Sequence, residues 1–239
     1  MKLHVLVEGP SEVVFLNGWL ERFLKGHSFR VHPHQGKGTL PKPEAKLKKL
    51  PKGADLQRPD RKRGLLDQLP QKLRAFGEVL DPATEAVVVL VDADTDTPEQ
   101  LAADLSELYE SIPKPERPLT LFRVATEELE AFYLGDLAGI AKAYPNHDKK
   151  LASSYEPDSI CGTAELFDRV IGGMGAMDKV SWAEEMGPRL TLAPAKNRSP
   201  SFRGFVTGLG ELVATPPATP TKRPYRHAAK GPKDGGVKR

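Results

Sequence analysis

Leu3 to Val7 is a short apolar run with β-branched content, followed by the turn residues Glu8-Gly9-Pro10-Ser11. A run of that length bounded by turn residues predicts a buried strand. From Glu12 onward the apolar positions are Val13, Val14, Phe15, Leu16, Trp19, Leu20, Phe23 and Leu24. Their spacings of three and four predict an amphipathic helix that starts at Pro10 or Ser11 and is ended by Gly26. Phe29 to His34 reads as a second strand running into Gln35-Gly36-Lys37-Gly38. Leu40 to Leu80 is rich in Lys, Arg and Leu, which predicts helix in pieces broken by prolines. Val87 to Val91 is continuously apolar, as in a strand covered on both faces, and it ends at Asp92-Ala93-Asp94-Thr95-Asp96-Thr97-Pro98. A helix follows from about Pro98 to Glu110, with Leu101, Leu105 and Leu108 on one side. Leu119 to Val124 reads as a fourth strand, and Thr126 suits the N-cap of a helix beginning Glu127-Glu128-Leu129-Glu130.

Strands alternating with helices in short units predict an α/β fold with a mostly parallel sheet flanked by helices, over residues 1–145. Residues 146–214 read as a helical subdomain packed on that sheet. Its last helix has Ser199 as N-cap and Pro200 in the first helical position. Phe202, Phe205, Val206, Leu209, Leu212 and Val213 form its apolar stripe. There are no internal repeats.

A chain of 239 residues with 39% hydrophobic and 28% charged residues has the composition of a globular protein with one good core. No apolar run approaches the roughly 20 residues of a membrane helix. Glu8 interrupts the only stretch resembling a signal peptide, so no membrane association is expected. The single cysteine, Cys161, excludes an internal disulfide framework, fits a reducing cytoplasm and reads as a small buried hydrophobe. The net charge of +3 is unevenly spread. Lys222, Arg223, Arg226, Lys230, Lys233, Lys238 and Arg239 stand against Asp234 alone in residues 215–239, which leaves the body slightly acidic. That basic, Pro- and Gly-rich tail is expected to stay disordered, either adding nonspecific affinity for phosphates or serving as a solvated terminus.

The candidate chemistry is carboxylate chemistry. In an open parallel sheet, ligands sit beyond the carboxyl ends of the strands. Here the first strand ends at Glu8, the third at Asp92 and Asp94, and the fourth leads into Glu127, Glu128 and Glu130. Carboxylates converging from separate strand ends repel one another unless a cation neutralises them. Oxygen donors without a Cys or His cluster suit Mg²⁺ or Mn²⁺, and such sites carry out phosphoryl transfer. The same residues also initiate turns and cap helices, and Asp94-Thr95-Asp96-Thr97-Pro98 is a plausible turn with no further role.

Other candidates are single residues. Lys37, between two glycines, places an ammonium and backbone N–H groups where a phosphate could be met, though without phosphate-loop spacing. His32 and His34 alternate along a strand and share a side. Lys179 and Arg198 could reach a scissile phosphate. Arg198, beside a helix N-terminus opened by Ser199 and Ser201, is the better placed, and a solvated surface position is the plainer reading of Lys179. Trp19 and Trp182 read as core or interface residues rather than base-stacking platforms.

Val7-Glu8-Gly9-Pro10-Ser11-Glu12 together with Val87 to Val91 and Asp92-Ala93-Asp94 resembles the Toprim domain. That domain is shared by primases, type IA and II topoisomerases, small ribonucleases and the overcoming-lysogenization-defect nucleases. The resemblance implies a general acid/base role for Glu8 and Mg²⁺ ligation by Asp92 and Asp94. More of the chain is similar to one Toprim-like group, the DUF4276 proteins. The similar segments are His34-Gln35-Gly36-Lys37-Gly38, Val91 to Asp94, Ala125 to Asp136 and Asn197 to Phe202. This implies an ATPase partner and a part in antiphage defence. The group's acidic motif commonly has further acids after D-x-D, whereas here Thr95 and Thr97 flank Asp96, so a second metal would rely on Glu128 or Glu130.

The expectation is a Toprim-like, Mg²⁺- or Mn²⁺-dependent nuclease acting on phosphodiesters of DNA or RNA. Asp92, Asp94 and Asp96 would hold metal with Glu8 and Glu128. Glu8, Glu12 and Glu128 would be the catalytic carboxylates, with Arg198 stabilising phosphate charge. Lys37, Lys179, Ser199 and Ser201 would contact substrate. The alternative is a catalytically silent binding or regulatory subunit of an ATPase-containing complex. Nucleotidyl transfer ranks below both, because the chain has no template-binding module.

Overall fold

Strands β1 (Lys2–Val7), β2 (Ser28–Pro33), β3 (Glu85–Asp92) and β4 (Thr120–Ala125) form one sheet in the order β2-β1-β3-β4, with every neighbouring pair parallel. The computed structural model describes residues 1–41, 63–159, 162–173, 175 and 177–214. Three sequence expectations fall wholly or partly outside them: Cys161, the tail from Thr215, and helix within residues 42–62. The helices are α1 (Pro10–Phe23), α2 (Leu65–Val79), α3 (Pro98–Ser111), α4 (Glu130–Gly135), α5 (Leu137–Ala143), α6 (Lys149–Ser154), α7 (Thr163–Val170), α8 (Lys179–Met186) and α9 (Pro200–Ala214).

Period-two alternation divides the strands between two cores. Leu3, Val5, Val7, Val88 and Leu90 pack with α1 and with the helices from α4 to α9. Leu6, Val87, Val89 and Val91 pack with α2 and α3. A sheet covered on both faces explains the uninterrupted apolar run of β3. Trp19 and Trp182 are both buried in the first of these cores, as the sequence predicts. Among the described residues no helix is long and apolar enough to cross a membrane.

The strand order sets the functional end of the molecule. From β1 the chain goes through α1 to β2 on one side, then crosses through α2 to β3 on the other. The helices after β1 and β3 therefore cover opposite faces. The crevice beyond their carboxyl ends is the switch point, where open α/β sheets bind ligands.

Two local expectations are corrected. α2 is not broken by its proline, because it runs through Pro70. Proline inside a helix costs about 3 kcal/mol, but Leu65, Leu66, Leu69, Leu73 and Phe76 bury against the sheet, each contributing roughly 1.5–3 kcal/mol. Packing wins. The helix expected from Glu127 begins only at Glu130, and Thr126 is not its cap. Glu127 instead has φ 64°, because its side chain and carbonyl are held by other segments, as described below. By contrast, Ser199 does cap α9, its Oγ accepting from the Phe202 N–H at 3.2 Å, with Pro200 opening the helix.

Candidate functional site

Glu8 is the first residue past β1 and Asp92 the last of β3. The Asp92 main-chain N–H donates to Glu8 Oε1 at 2.9 Å, so the two strand ends meet through a carboxylate. The Gly36 N–H donates to the Glu8 carbonyl at 2.9 Å, and His34 Nδ1 lies 2.8 Å from the Val7 carbonyl. Behind it, Lys72 Nζ is 2.6 Å from His34 Nε2. Burial pushes His34 down to about 4 and His32 to about 3. The two histidines do share a side, as their alternation predicts, and they form a neutral support under the strand ends.

Outside Asp92 the acid loop is fastened by Lys37. Its Nζ donates to the Ala93 carbonyl at 2.7 Å and to Asp96 Oδ2 at 2.7 Å, and lies 3.2 Å from Asp94 Oδ2. Burial opposes this charge, but the two aspartates outweigh it and raise the Lys37 pKa. The lysine expected to meet a phosphate thus neutralises the chain's own carboxylates.

Inside Asp92 lie the acids that follow β4. Lys179 Nζ is 2.7 Å from Glu128 Oε1 and 3.5 Å from Glu130 Oε2. Lys179 is therefore not the solvated surface residue of the plainer sequence reading. Its pKa is raised because Glu130, Glu128 and Asp92 outweigh its burial. Glu127 faces the other way, accepting from the Gly162 N–H and from the Thr163 N–H at the start of α7. The Asp94 N–H donates to the Glu127 carbonyl at 2.7 Å.

The inner acids hold protons unusually well. Glu8 is pushed up to about 7 by burial, with the charges of Asp94 and Glu12 adding to it and the Asp92 N–H opposing. Glu130 is also pushed up to about 7, by burial first and then by Glu128 and Glu12 against the pull of Lys179. Asp92 is raised well above its ordinary value by burial and by Glu8, Glu12 and Glu130. Glu12, on the first turn of α1, thus acts on all three.

The structure brings Glu8, Glu12, Asp92, Asp94, Asp96, Glu128, Lys37 and Lys179 to one crevice. Arg198, Ser199 and Ser201 are engaged elsewhere. The Arg198 guanidinium donates to the carbonyls of Leu134 on α4 and of Ala152 and Ser153 on α6. Ser199 Oγ and the Ser201 N–H both donate to the Asp158 carboxylate, at 2.9 and 2.8 Å. The N-terminus of α9 thus already holds an anion, and it belongs to the chain. Tyr133 is a residue sequence reasoning missed. It is fully buried, and the charges of Glu130, Glu12 and Asp92 act on it. Its spacing of three from Glu130 was the available signal, but a tyrosine in an apolar helix reads first as core.

The donors are hard oxygens and exceed the two lysines that neutralise them, which fits a divalent cation chemically. As the side chains stand, no three His, Cys, Asp or Glu residues among those described converge enough to hold a metal ion. An open depression of about 580 Å³, lined by Met1, Lys2, Gly26, His27, Ser28, Thr84 and Glu85, lies at the opposite, amino end of the strands. The chemistry, not the concavity, marks the crevice.

Comparison with protein families finds one described as "Domain of unknown function (DUF4276)", which matches residues 7–210. Comparison with curated proteins and with solved structures gave no match.

Proposed function

This chain belongs to the DUF4276 family, and from its acid crevice we propose that it is a Toprim-like, divalent-cation-dependent nuclease that hydrolyses phosphodiesters of DNA or RNA. The observation that carries the reading is the concentration of buried carboxylate at the β1–β3 switch point, joined by the hydrogen bond from the Asp92 N–H to Glu8. Buried acids that raise one another's pKa values are characteristic of sites built to hold a cation or move a proton.

Asp92, Asp94, Glu8 and Glu128 are the residues that would hold Mg²⁺ or Mn²⁺, which when bound supplies Lewis-acid neutralisation of phosphate charge. Glu8, with a pKa of about 7, is suited to take up and return a proton at neutral pH. Lys179, held by Glu128 and Glu130, brings a fixed positive charge to the crevice. Arg198 is not assigned to phosphate, because its guanidinium is committed to backbone carbonyls.

The test is cleavage of plasmid DNA and of transfer RNA by the purified chain, with Mg²⁺, with Mn²⁺ and with chelator. Cation-dependent cleavage by wild type and its loss in Asp92→Ala are expected. No cleavage of either substrate, together with an Asp92→Ala phenotype identical to wild type in cells, sinks the nuclease reading. A second reading, a silent subunit of an ATPase-containing complex, is favoured by one observation. Lys37 and Lys179 already pair with Asp94, Asp96, Glu128 and Glu130 and offset part of their charge.

A further inference from the structure

A second cluster of buried titratable groups lies on the α2 face of the sheet, and the acid crevice does not use it. His4 of β1 and His32 of β2 are 5% and 2% exposed, and His4 Nδ1 stands 3.1 Å from His32 Nε2. The rings stack at 5.3 Å between centroids, and Phe76 of α2 covers both, at 5.2 and 5.8 Å. On its other side His4 Nε2 is 3.5 Å from Glu85 Oε1. A bond between two imidazoles needs one proton between the facing nitrogens. It survives a first added proton and is broken by a second, which sets N–H against N–H. After burial itself, Lys2 on β1, Arg30 and His34 on β2 and Lys72 on α2 oppose positive charge on the pair, and only Glu85 on β3 favours it. His32 is accordingly pushed down to about 3.

α2 is weakest in its middle, because Pro70 has no N–H to give to the preceding turn. The half that follows carries both residues that reach the histidines, Phe76 on the pair and Lys72 on His34. The half before it is tied to the crevice loop instead, by the Leu65 and Leu66 N–H groups on the carbonyls of Gly36 and Lys37. We propose that the His4–His32 pair is an acid-sensitive latch, which in mild acid releases the half of α2 after Pro70 from the sheet while the half before it stays in place. Closed, the pair excludes its second proton. Open, water reaches both rings, and each titrates as an ordinary imidazole near 6.5. Opening therefore takes up protons. The closed form holds its full advantage above about 6.5 and loses it as pH falls below that value. Local opening of this kind needs no cation in the crevice.

The test is hydrogen exchange of the full chain at pH 7 and pH 5, corrected for the intrinsic rate at each pH, beside the His32→Gln variant. A glutamine amide still has an N–H for His4 Nδ1 but does not titrate. In wild type the opening constant for residues 71–79 is expected to rise roughly twentyfold or more from pH 7 to pH 5, the effect of one imidazole barred from its proton in the closed form. Residues 65–69 and α9 are expected to change far less, and His32→Gln to remove most of the rise. Unchanged protection over residues 71–79 overturns the latch. An equal rise in residues 65–69 and α9 also overturns it, because the whole chain then opens together. An undiminished rise in His32→Gln does the same, by moving the trigger to another group. Should that variant not fold, the ring ¹⁵N signals of the wild type decide: neutral imidazoles at pH 5 are expected, and two protonated rings in the folded chain at that pH overturn the latch.

Discussion

Asp94 and Glu127 face each other in left-handed backbone, with φ of 52° and 64°, and are tied by a 2.7 Å hydrogen bond from the Asp94 N–H to the Glu127 carbonyl. Neither is glycine, and such a conformation costs a residue with a Cβ about 1–2 kcal/mol. Strain of this kind persists where surrounding contacts over-determine it. Here those contacts are Lys37 on Asp94 and the start of α7 on the Glu127 carboxylate. Two strained residues thus shape the rim of the acid crevice.

Replacing Asp94 by glycine removes that strain, along with an exposed partner of Lys37 whose ion pair contributes little. Asp94→Gly is expected to be neutral or to stabilise the chain by up to about 1 kcal/mol, while abolishing cation-dependent cleavage. Denaturant unfolding beside the plasmid assay checks the pairing. A marked loss of stability would show that the aspartate, not its backbone, carries the local structure.

Glu8 and Glu130 each have a pKa of about 7 in the folded chain against an ordinary 4.5. The folded state therefore binds the extra protons, and the stability they contribute is complete below about 4.5 and lost as pH rises through about 7. His32 and His34 have depressed pKa values. Their contribution is lost only as pH falls below about 6.5, so it is flat above that. Between pH 6.5 and 8.5 unfolding stability is expected to drop by about 1–2 kcal/mol for the two glutamates together, allowing for screening at Glu8. Urea titrations across this window check the slope, which Glu8→Gln should roughly halve.

Lys179 is the cation beside Glu130, whose side chain is 4% exposed. Lys179→Met leaves that acid without its counter-charge. A loss of about 1–2 kcal/mol is expected at pH 8, below the full cost of breaking a buried pair because the lysine is a third exposed. At pH 6 the loss should be smaller, since Glu130 can then protonate. Equal losses at the two pH values would mean the lysine acts through its packing.

Arg198 holds the carbonyls of Leu134, Ala152 and Ser153 and so fastens α4 to α6. Arg198→Lys cannot reproduce this planar fork. It is expected to lower stability by roughly 1–2 kcal/mol, with or without divalent ions. An unchanged midpoint in denaturant combined with lost cleavage would return Arg198 to the phosphate.

The elements and the first acids were readable because their signals are local. β3 announces itself as a run from Ala86 to Val91, and Ser199-Pro200 carries its own cap chemistry. Strand alternation with helices sufficed for the parallel sheet, and the strand ends sufficed for Glu8 and Asp92. The pairing of Lys37 with Asp96 and of Lys179 with Glu128 joins residues 59 and 51 positions apart, and no periodicity reports such a contact. Glu127 misled for a different reason. Thr126-Glu127-Glu128 has good helix-start chemistry, and its preference is overridden by two partners that exist only in the folded chain. Arg198 had the right neighbours in sequence but carbonyls as its partners in space.

Lys37 has a consequence for how the protein is made. The loop from Asp92 to Asp96 carries three aspartates, and Lys37 already pairs with two of them, Asp94 and Asp96, without any added ion. Reaching the native state would then not depend on an ion entering the crevice. Unlike small metal-organised domains, which collapse only around their ion, this chain would fold without one.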